Sequence, residues 1–240
     1  MMLLTADIGN TSTALGIFKG KKLVRAWKVS TDYVVSGKPV KLPNGIRRAI
    51  MSSVVPKATP MVSRAISRRC GIRPLILGKN IKAPIKNLYK KPGQVGQDRL
   101  VDAVAVKELY GYPAIVVDFG TAITFDVISR RGEYLGGLIF PGIETSLNAL
   151  SQKAALLPKI TVVPPKGLIG RDTADSMRSG VFYGIGALCD GIISRLKKKL
   201  GPMTVIATGG HAKVISGFSK SIRYIDPHLT LHGLRIIAEN

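Results

Sequence analysis

Asp7-Ile8-Gly9-Asn10-Thr11 follows an apolar run near the start of the chain, and Asp118-Phe119-Gly120-Thr121 repeats its pattern further on. Each copy has an apolar strand, an Asp-x-Gly turn with hydroxyl or amide residues, a second apolar stretch, a basic turn with glycine and a third strand. The copies extend over residues 3–27 and 115–138. One such turn is a weak signal, but two in one chain predict a duplicated phosphate-binding fold with a nucleotide held between the halves.

The residue types in these turns suit phosphate binding. A carboxylate at a strand end can organise a cation against phosphate oxygens. Gly9 and Gly120 let backbone N–H groups approach an anion, because no Cβ stands in the way. Short donors accompany them: Asn10, Thr11, Ser12, Thr13, Thr121 and Thr124. The alternative is two ordinary turns closed by Asp side chains, which the repetition disfavours.

Length and composition indicate a folded chain of one large or two smaller domains. There are 240 residues, of which 45% are hydrophobic and 21% charged, so a buried core is expected and disorder is not. The turn residues Tyr110-Gly111-Tyr112-Pro113 separate the two copies. We therefore predict an N-terminal half at residues 1–112 and a C-terminal half at residues 113–240.

The charge is strongly positive, with 36 Lys and Arg against 14 acids and a formal net charge of +22. Such an excess fits either a polyanion partner or a basic enzyme with anionic substrates. The basic residues are spread along the chain, and the aromatic residues, 6% of the total, do not interleave with them as a base-stacking platform would. The second interpretation is favoured, and nucleic acid is not expected as a partner.

Cysteine content and hydropathy bear on location. Two cysteines, Cys70 and Cys189, are too few for a disulfide framework or a thiolate metal site. No apolar run reaches the roughly 18 residues of a membrane span, and the first residues do not form a signal peptide. The sequence predicts a soluble cytoplasmic protein with no membrane partner.

Short β-branched runs alternate with helical stretches, which predicts an α/β fold. The predicted strands are Met2–Ile8, Thr13–Phe18, Leu23–Val29, Ala49–Val54, Pro74–Leu77, Ala114–Asp118, Ala122–Ile128, Tyr134–Ile139, Ile160–Val163 and Met203–Ala207. The predicted helices are Pro56–Arg69, Asp98–Leu109, Ile143–Leu150, Asp172–Leu200 and Thr230–Ala238. The long fourth helix contains four glycines, which favour close packing against another helix, of the same chain or of a partner subunit. They are Gly180, Gly184, Gly186 and Gly191.

A second candidate site is Gly96-Gln97-Asp98-Arg99, which opens a predicted helix. Asp98 lies in the first turn, where the helix macrodipole favours an ionised carboxylate. Such a carboxylate can accept a proton from a substrate hydroxyl, and Arg99 can hold a substrate carboxylate in a bidentate pair. The alternative is an N-capping Asp beside a surface Arg. Two glycine-rich turns, at residues 136–142 and 208–210, fit either a close approach to ligand or a constrained corner.

Other motifs are excluded. Residues 16–22 lack the spacing and the hydroxyl residue of a Walker A loop. Asp118-Phe119-Gly120 spells a protein-kinase tripeptide, but no His-Arg-Asp loop precedes it. His228 and His232 lack neighbouring cysteines or carboxylates, and we interpret them as structural.

Taken in order, the motifs resemble those of type III pantothenate kinase over essentially the whole chain. They are Asp7-Ile8-Gly9-Asn10-Thr11, Ser52-Ser53-Val54-Val55-Pro56, Gly96-Gln97-Asp98-Arg99, Asp118-Phe119-Gly120-Thr121-Ala122, Gly136-Gly137 with Pro141-Gly142, Ile169-Gly170 with Thr173, and Thr208-Gly209-Gly210. The resemblance implies an α/β fold of two ribonuclease-H-like (actin-like ATPase) halves with mixed five-stranded sheets flanked by helices. It implies transfer of the ATP γ-phosphate to the 4′-hydroxyl of pantothenate, the first step of coenzyme A biosynthesis.

The resemblance also implies roles for individual residues. Asp98 would accept the proton, and Asp118 would bind the monovalent cation, K⁺ or NH₄⁺, that the family uses beside Mg²⁺. ATP phosphates would contact Thr121 and the loop residues Asp7, Ile8, Gly9, Asn10, Thr11, Ser12, Thr13 and Ala14. Pantothenate would contact Tyr89, Gly96, Gln97, Asp98, Arg99 and, across the interface of a homodimer, Thr173.

One departure from the family pattern is visible, since Lys91-Pro92 stands where the family tends to have Asn-Pro. Two other functions stay open at this point. One is a nucleic-acid-associated accessory protein on the same scaffold, suggested by the charge. The other is a sugar or acyl-phosphate kinase of the same superfamily. Retention of Asp7, Asp98 and Asp118 favours an active kinase over an inactive scaffold.

Overall fold

The first half of the chain, which contains the first copy of the repeat, forms a mixed five-stranded sheet in a computed structural model that describes all 240 residues. The strands are β1 (Met2–Ile8), β2 (Ser12–Lys19), β3 (Lys22–Ser30), β4 (Ile46–Ser53) and β5 (Leu75–Ile76), in the order β3-β2-β1-β4-β5. β1 pairs antiparallel with β2 and parallel with β4. Because side chains alternate along a strand, β1 sends Leu4, Ala6 and Ile8 to one face and Leu3, Thr5 and Asp7 to the other.

Helices cover both faces of this sheet. Leu4, Ala6 and Ile8 pack with residues of α1 (Thr31–Val35) and α2 (Thr59–Cys70). On the other face, Leu3, Phe18 and Ile50 pack with residues of α3 (Gln97–Leu109) and α7 (Leu229–Glu239). Asp7 is therefore placed at the strand end on the face that α3 and α7 cover.

The second half, which contains the second copy, forms another five-stranded sheet with the corresponding topology. Its strands are β6 (Ala114–Phe119), β7 (Ala122–Ile128), β8 (Tyr134–Pro141), β9 (Thr204–Thr208) and β10 (Tyr224–Ile225), in the order β10-β9-β6-β7-β8. β6 pairs antiparallel with β7 and parallel with β9, as β1 does with β2 and β4. One face packs against α4 (Ile143–Lys153), α5 (Thr173–Leu200) and α6 (Ala212–Ile215). The predicted duplication is confirmed.

Contacts divide the chain into two compact units, residues 1–111, 132–134 and 228–240, and residues 112–131 and 135–227. The predicted second half, 113–240, therefore differs from the second unit by including α7. Leu231 and Leu234 of α7 are buried against the first sheet, and Gly233 lies so close to the Val101 carbonyl that a Cβ has no room. The apolar face of α7 explains this placement.

The predicted strand Ile160–Val163 is wrong, because residues 154–172 contain neither helix nor strand. Pro158, Pro164 and Pro165 lack the N–H groups that a strand ladder needs. Ile160 and Val162 pack instead as partly buried side chains against the second core. The sequence also gave no sign of α1, α6 and β10. No helix combines the length and apolar character needed to cross a bilayer.

Candidate active site

Asp7 lies in a row of residues that crosses four strands of the first sheet. In register, Lys28 on β3 faces Ala14 on β2, Ala14 faces Asp7 on β1, and Asp7 faces Ser52 on β4. Residues that face one another in this way project from the same side of a sheet. The Ser52 hydroxyl donates a hydrogen bond of 2.6 Å to Asp7 Oδ1.

The Asp7 carboxyl group titrates far from its ordinary range. Burial, and secondarily the negative charge of Asp98, raise its pKa to about 7, while the Ser52 hydrogen bond and the charge of Lys28 act in the opposite direction. Two carboxylates therefore lie within electrostatic reach of each other. In the absence of ligand, Asp7 is protonated in an appreciable fraction of molecules at neutral pH.

The loop after β1 is held by its own hydrogen bonds. Gly9 N donates to Ser12 O at 3.1 Å, and a Cβ on Gly9 would lie 3.1 Å from the same oxygen. Thr31 Oγ1 donates to Gly9 O at 2.7 Å and contacts Thr13 Oγ1 at 3.1 Å. Among the predicted phosphate ligands, Asn10 and Thr11 are exposed, Ser12 and Ala14 are partly buried, and Ile8 and Thr13 are buried. The Thr13 hydroxyl is therefore engaged inside the loop.

Asp98 is the second residue of α3, and Gly96 is the N-cap residue, without a side-chain cap. Asp98 Oδ1 accepts a hydrogen bond from Arg99 N at 2.8 Å, and a Cβ on Gly96 would collide with that oxygen. Burial raises the pKa of Asp98, although the Arg99 N–H and guanidinium partly offset this effect. The helix macrodipole acts to lower this pKa, whereas the loss of water around the carboxylate acts to raise it and is the larger effect.

The residues around Asp98 also decide against the capping alternative. Asp98 is not the N-cap residue, and Arg99 is buried rather than on the surface. A buried Arg beside a carboxylate is typical of a binding site or an ionic core, not of solvent-exposed helix ends. The Gln97 side chain packs against Gly78. Tyr89 is partly buried, and its N–H donates to Asn87 Oδ1 at 2.9 Å.

Asp118 occupies the corresponding position in the second sheet. It faces Thr124 on β7 and Thr208 on β9. Gly209 has a φ of +92°, and a Cβ there would collide with Asp118 Oδ1 and with the backbone of Phe119. Gly209 is therefore required by a constrained corner, whereas Gly210 is exposed with open space around its Cα.

Thr121 follows this corner and is exposed. Its carbonyl oxygen accepts hydrogen bonds from Gly142 N at 2.9 Å and from Thr145 Oγ1 at 2.7 Å. A Cβ on Gly142 would collide with the carbonyl oxygens of Gly120 and Thr121. The glycine-rich turn at residues 136–142 is thus a constrained corner at Gly142, which ties the start of α4 to the turn after Asp118.

The donors near Asp118 fit a hard cation. The carboxylate is flanked by two threonines, Thr124 and Thr208, and oxygen ligands are the ones that K⁺ and Mg²⁺ prefer. No group of three or more His, Cys, Asp or Glu could hold a metal ion on its own. A cation here would therefore share its coordination with a phosphate or water, as Mg²⁺ commonly does.

Thr173 lies in the second unit, where it is the first residue of α5 and is exposed. The preceding residue, Asp172, caps this helix, because its Oδ1 accepts a hydrogen bond from Asp175 N at 2.7 Å. A hollow of about 400 Å³ lies beside it. Its lining residues are Leu168, Ile169, Gly170, Ser176, Ser179, Gly180, Tyr183 and Gly184.

Two residues of the site carried no functional interpretation from residue type alone. Ser52 appeared only as part of a motif, and Lys28 as one of many basic residues. Strand register reveals both residues, because it places them in the same row as Asp7, one on each side of it. Register cannot be read from isolated strand patterns when the strands are far apart in sequence.

Two duplicated mixed five-stranded sheets flanked by helices constitute the duplicated ribonuclease-H-like (actin-like ATPase) fold. Among solved structures, the fold is similar to a Baf family protein from Campylobacter jejuni, with a TM-score of 0.66, 21% identity, and coverage of 98% of this chain and 97% of the other. It is also similar to a ROK family glucokinase from Streptomyces griseus bound to glucose and AMPPNP, with a TM-score of 0.53, 12% identity and full coverage of both chains.

The sequence comparisons are more specific. The family model for type III pantothenate kinase matches residues 3–195. Type III pantothenate kinase of Geobacter sulfurreducens is 44% identical over 252 aligned residues, covering 99% of this chain and 98% of the relative. The Moorella thermoacetica enzyme of the same name is 43% identical, with 99% of each chain covered. The chain belongs to the type III pantothenate kinase family.

Proposed function

We propose that this chain transfers the γ-phosphate of ATP to the 4′-hydroxyl of pantothenate, forming 4′-phosphopantothenate for coenzyme A biosynthesis. The observation that carries the proposal is Asp98, held at the first turn of α3 by Gly96 and Arg99, with its charge acting on Asp7. Membership of the family supplies the identity of the acceptor.

Asp98 acts as the proton acceptor. Phosphoryl transfer passes through a loose transition state, so the base mainly orients the attacking hydroxyl and takes its proton late. Burial raises the pKa of Asp98, so its ionised carboxylate is a better base for that proton than the carboxylate of an exposed Asp. In the same step the bond from the γ-phosphorus to its bridging oxygen breaks, and ADP leaves.

ATP phosphates contact the loop Asp7 to Ala14 and Thr121. In the loop, the exposed residues Asn10 and Thr11 are the direct donors, while Thr13 supports the loop through Thr31. Asp118 binds K⁺ or NH₄⁺, and Mg²⁺ accompanies the ATP phosphates. When bound, these cations neutralise charge on the phosphates and on the transition state.

Pantothenate contacts Tyr89 and the residues at the start of α3, Gly96, Gln97, Asp98 and Arg99, and it contacts Thr173 across the interface of a homodimer. Arg99 is the cation best suited to the substrate carboxylate, since a guanidinium can bind it in a bidentate pair. The burial of Arg99 strengthens such a pair, because the local dielectric is lower than in water.

The working form is a homodimer in the cytoplasm. Along α5, Gly180, Gly184, Ala187 and Gly191 recur on one face and are exposed. Leu168 and Ile169, which are 66% and 83% exposed, flank the hollow beside that face. A second copy covering these residues would bury them and bring its own α5 close. Gly186 has a different role, since it packs against Phe218 of the same chain.

A comparison of acceptors tests the proposal. Purified protein is incubated with ATP, Mg²⁺ and K⁺, and with pantothenate, glucose or acetate in parallel. Mass spectrometry should detect phosphorylation of pantothenate alone, and light scattering should report a dimer. Transfer to glucose or acetate but not to pantothenate would instead support another kinase of the superfamily.

The net charge of +22 favours one second candidate, a nucleic-acid-associated accessory protein. Binding to duplex DNA that falls steeply with salt and does not depend on ATP would support it. The buried placement of Asp98 and Arg99 favours the kinase, because a scaffold that only binds polyanions needs neither residue.

A further inference from the structure

We propose that Ser52 is a positioning residue, whose hydroxyl fixes the Asp7 carboxylate in the orientation that binds Mg²⁺-ATP. This inference rests on the proposed function of the same site and adds a residue to it. Ser52 touches neither the acceptor nor the transferred phosphate, and it acts only through Asp7.

The role of Ser52 follows first from the geometry of the Asp7–Ser52 pair. Asp7 and Ser52 face each other on parallel strands, and the hydrogen bond joins Ser52 Oγ to Asp7 Oδ1 at 2.6 Å. Ser52 is fully buried, so water cannot replace the hydroxyl if it is removed. The bond occupies one carboxylate oxygen, Oδ1, and leaves Oδ2 for ligand.

The electrostatic setting explains why Asp7 needs such a partner. Asp98 places a second negative charge within reach of Asp7, and burial disfavours the ionised form of Asp7 as well. Both effects act against an ionised carboxylate held in a fixed orientation. A charge-assisted hydrogen bond from a buried hydroxyl counters them, and Lys28 adds a positive charge from the other side of the row.

The next residue shows what a purely structural serine does in this chain. Ser53 Oγ accepts hydrogen bonds from Val55 N at 3.1 Å and from Thr59 Oγ1 at 2.8 Å, and so organises the turn that precedes α2. Ser52 makes no such contact, and its hydroxyl bonds to Asp7. Two adjacent serines therefore serve different partners, one the fold and one the site.

The second half provides an independent observation. Thr208 on β9 faces Asp118 on β6 in the same parallel register in which Ser52 faces Asp7, and it is also buried. The duplication thus keeps a buried hydroxyl residue opposite both strand-end carboxylates. Core packing alone gives no reason for a hydroxyl at both positions, since burying a polar group is unfavourable unless it has a partner.

The test compares Ser52→Ala, Ser52→Thr and the matched control Ser53→Ala. Calorimetry measures the Kd of Mg²⁺-ATP, steady-state kinetics give KM for ATP and for pantothenate, and thermal unfolding reports the fold. Ser52→Ala should weaken Mg²⁺-ATP binding by about 10- to 100-fold, the range for partners that orient ligating side chains, with KM for pantothenate unchanged. Ser52→Thr keeps the hydroxyl and should restore most of the affinity.

Ser53→Ala should lower the melting temperature and leave the Kd of Mg²⁺-ATP as in the wild type. Equal Kd values for the wild type and a folded Ser52→Ala protein would overturn the inference, as would equal weakening by Ser53→Ala. A wild-type protein that binds Mg²⁺-ATP but does not phosphorylate pantothenate would contradict the proposed function instead, while the calorimetric comparison would still decide the role of Ser52.

Discussion

The two halves of the molecule share a topology but differ in what lies near the strand-end carboxylate. In the first half, Asp7 lies within the field of a second carboxylate, Asp98, at the start of α3. The helix in the corresponding position of the second half, following β10, is α7, and its first turn contains no acidic residue. Duplication therefore supplied two carboxylate turns, but an acidic residue in the first turn of the corresponding helix in only one half.

The polar faces of the two sheets differ as well. Next to Asp7 the strand β2 has Ala14 and Gly16, whereas next to Asp118 the strand β7 has Thr124 and Asp126. A Cβ on Gly16 would lie 2.8 Å from Thr5 Oγ1 and 3.1 Å from Leu231 of α7, so helix packing requires the glycine. In the second half, Thr124 donates to the buried Asp126 at 3.0 Å. Beside the strand-end carboxylate, the first half therefore contains small residues that a helix packs against, and the second half contains hydrogen-bonded polar side chains.

A large effect is expected from Asp7→Asn, which removes the carboxylate charge but keeps the shape of the side chain. Activity should fall on the order of 100-fold or more, because an amide cannot hold the cation that accompanies the ATP phosphates as a carboxylate does. The stability of the unliganded protein, in contrast, should increase. The folded-state pKa of Asp7 is raised to about 7, so its contribution to stability is present below about pH 4 and is lost as pH rises toward 7.

Asp7→Asn removes that loss and should stabilise the unliganded protein at pH 8 by on the order of 1–3 kcal/mol. Chemical unfolding at pH 4.5 and pH 8 checks the sign, and the variant should show a flatter pH dependence than the wild type. Asp32→Asn, at an exposed Asp of α1, is the control. A variant less stable than the wild type at pH 8 would contradict the electrostatic account of Asp7.

A smaller effect, confined to the cation, is expected from Asp118→Asn. The K⁺ concentration for half-maximal activity should rise roughly tenfold, because the site loses its only charged ligand. Titration of activity with K⁺ at saturating Mg²⁺-ATP measures this. An unchanged K⁺ response would remove Asp118 from the cation site.

The corner after β9 offers a stability comparison. Gly209→Ala should destabilise the protein by about 1–3 kcal/mol, because its φ is +92° and the new methyl group meets Asp118 and Phe119. Gly210→Ala, where the space is open, is the matched control and should be close to neutral. The first half has Ser53 at the position of Gly209, so the strain belongs to the second copy alone. Denaturant unfolding of both variants decides the point.

The smallest effect is expected from Lys28→Gln. Lys28 is exposed, so its charge acts on Asp7 through water and is screened by salt. KM for ATP should rise a few-fold at low ionic strength and approach the wild-type value in high salt, whereas Lys22→Gln at the start of the same strand should behave as the wild type. A salt-independent change would mean that Lys28 acts by packing rather than by charge.

Sequence reasoning predicted most of the fold because the signals are local. Alternating apolar residues identified β1 and β7 with their observed bounds, and the helix signals placed α3 and α5 to within one residue. Prediction did not extend to contacts between distant segments. The attachment of α7 to the first unit depends on which apolar face of a sheet is uncovered, and nothing in residues 228–240 alone encodes this.

The sequence predicts a set of site residues, which stays a prediction, but it does not predict the environment of those residues. Asp7, Asp98 and Asp118 stand out by motif, yet the raised pKa of Asp98 depends on burial that its neighbours in sequence do not reveal. The role of Ser52 depends on the register between β1 and β4, whose paired residues are 45 positions apart. Residue types suggest candidate chemistry, whereas the electrostatics of these residues can be read only from the fold.

The most direct test of the central claim is a single-turnover measurement with Asp98→Asn. Wild-type and variant proteins, in excess over ATP labelled at the γ-phosphate, are mixed with Mg²⁺, K⁺ and pantothenate, and labelled phosphopantothenate is followed with time. We expect the variant to bind both substrates as the wild type does and to transfer phosphate about 10²- to 10⁴-fold more slowly. Transfer at the wild-type rate by the folded variant would contradict the assignment of Asp98 as the base.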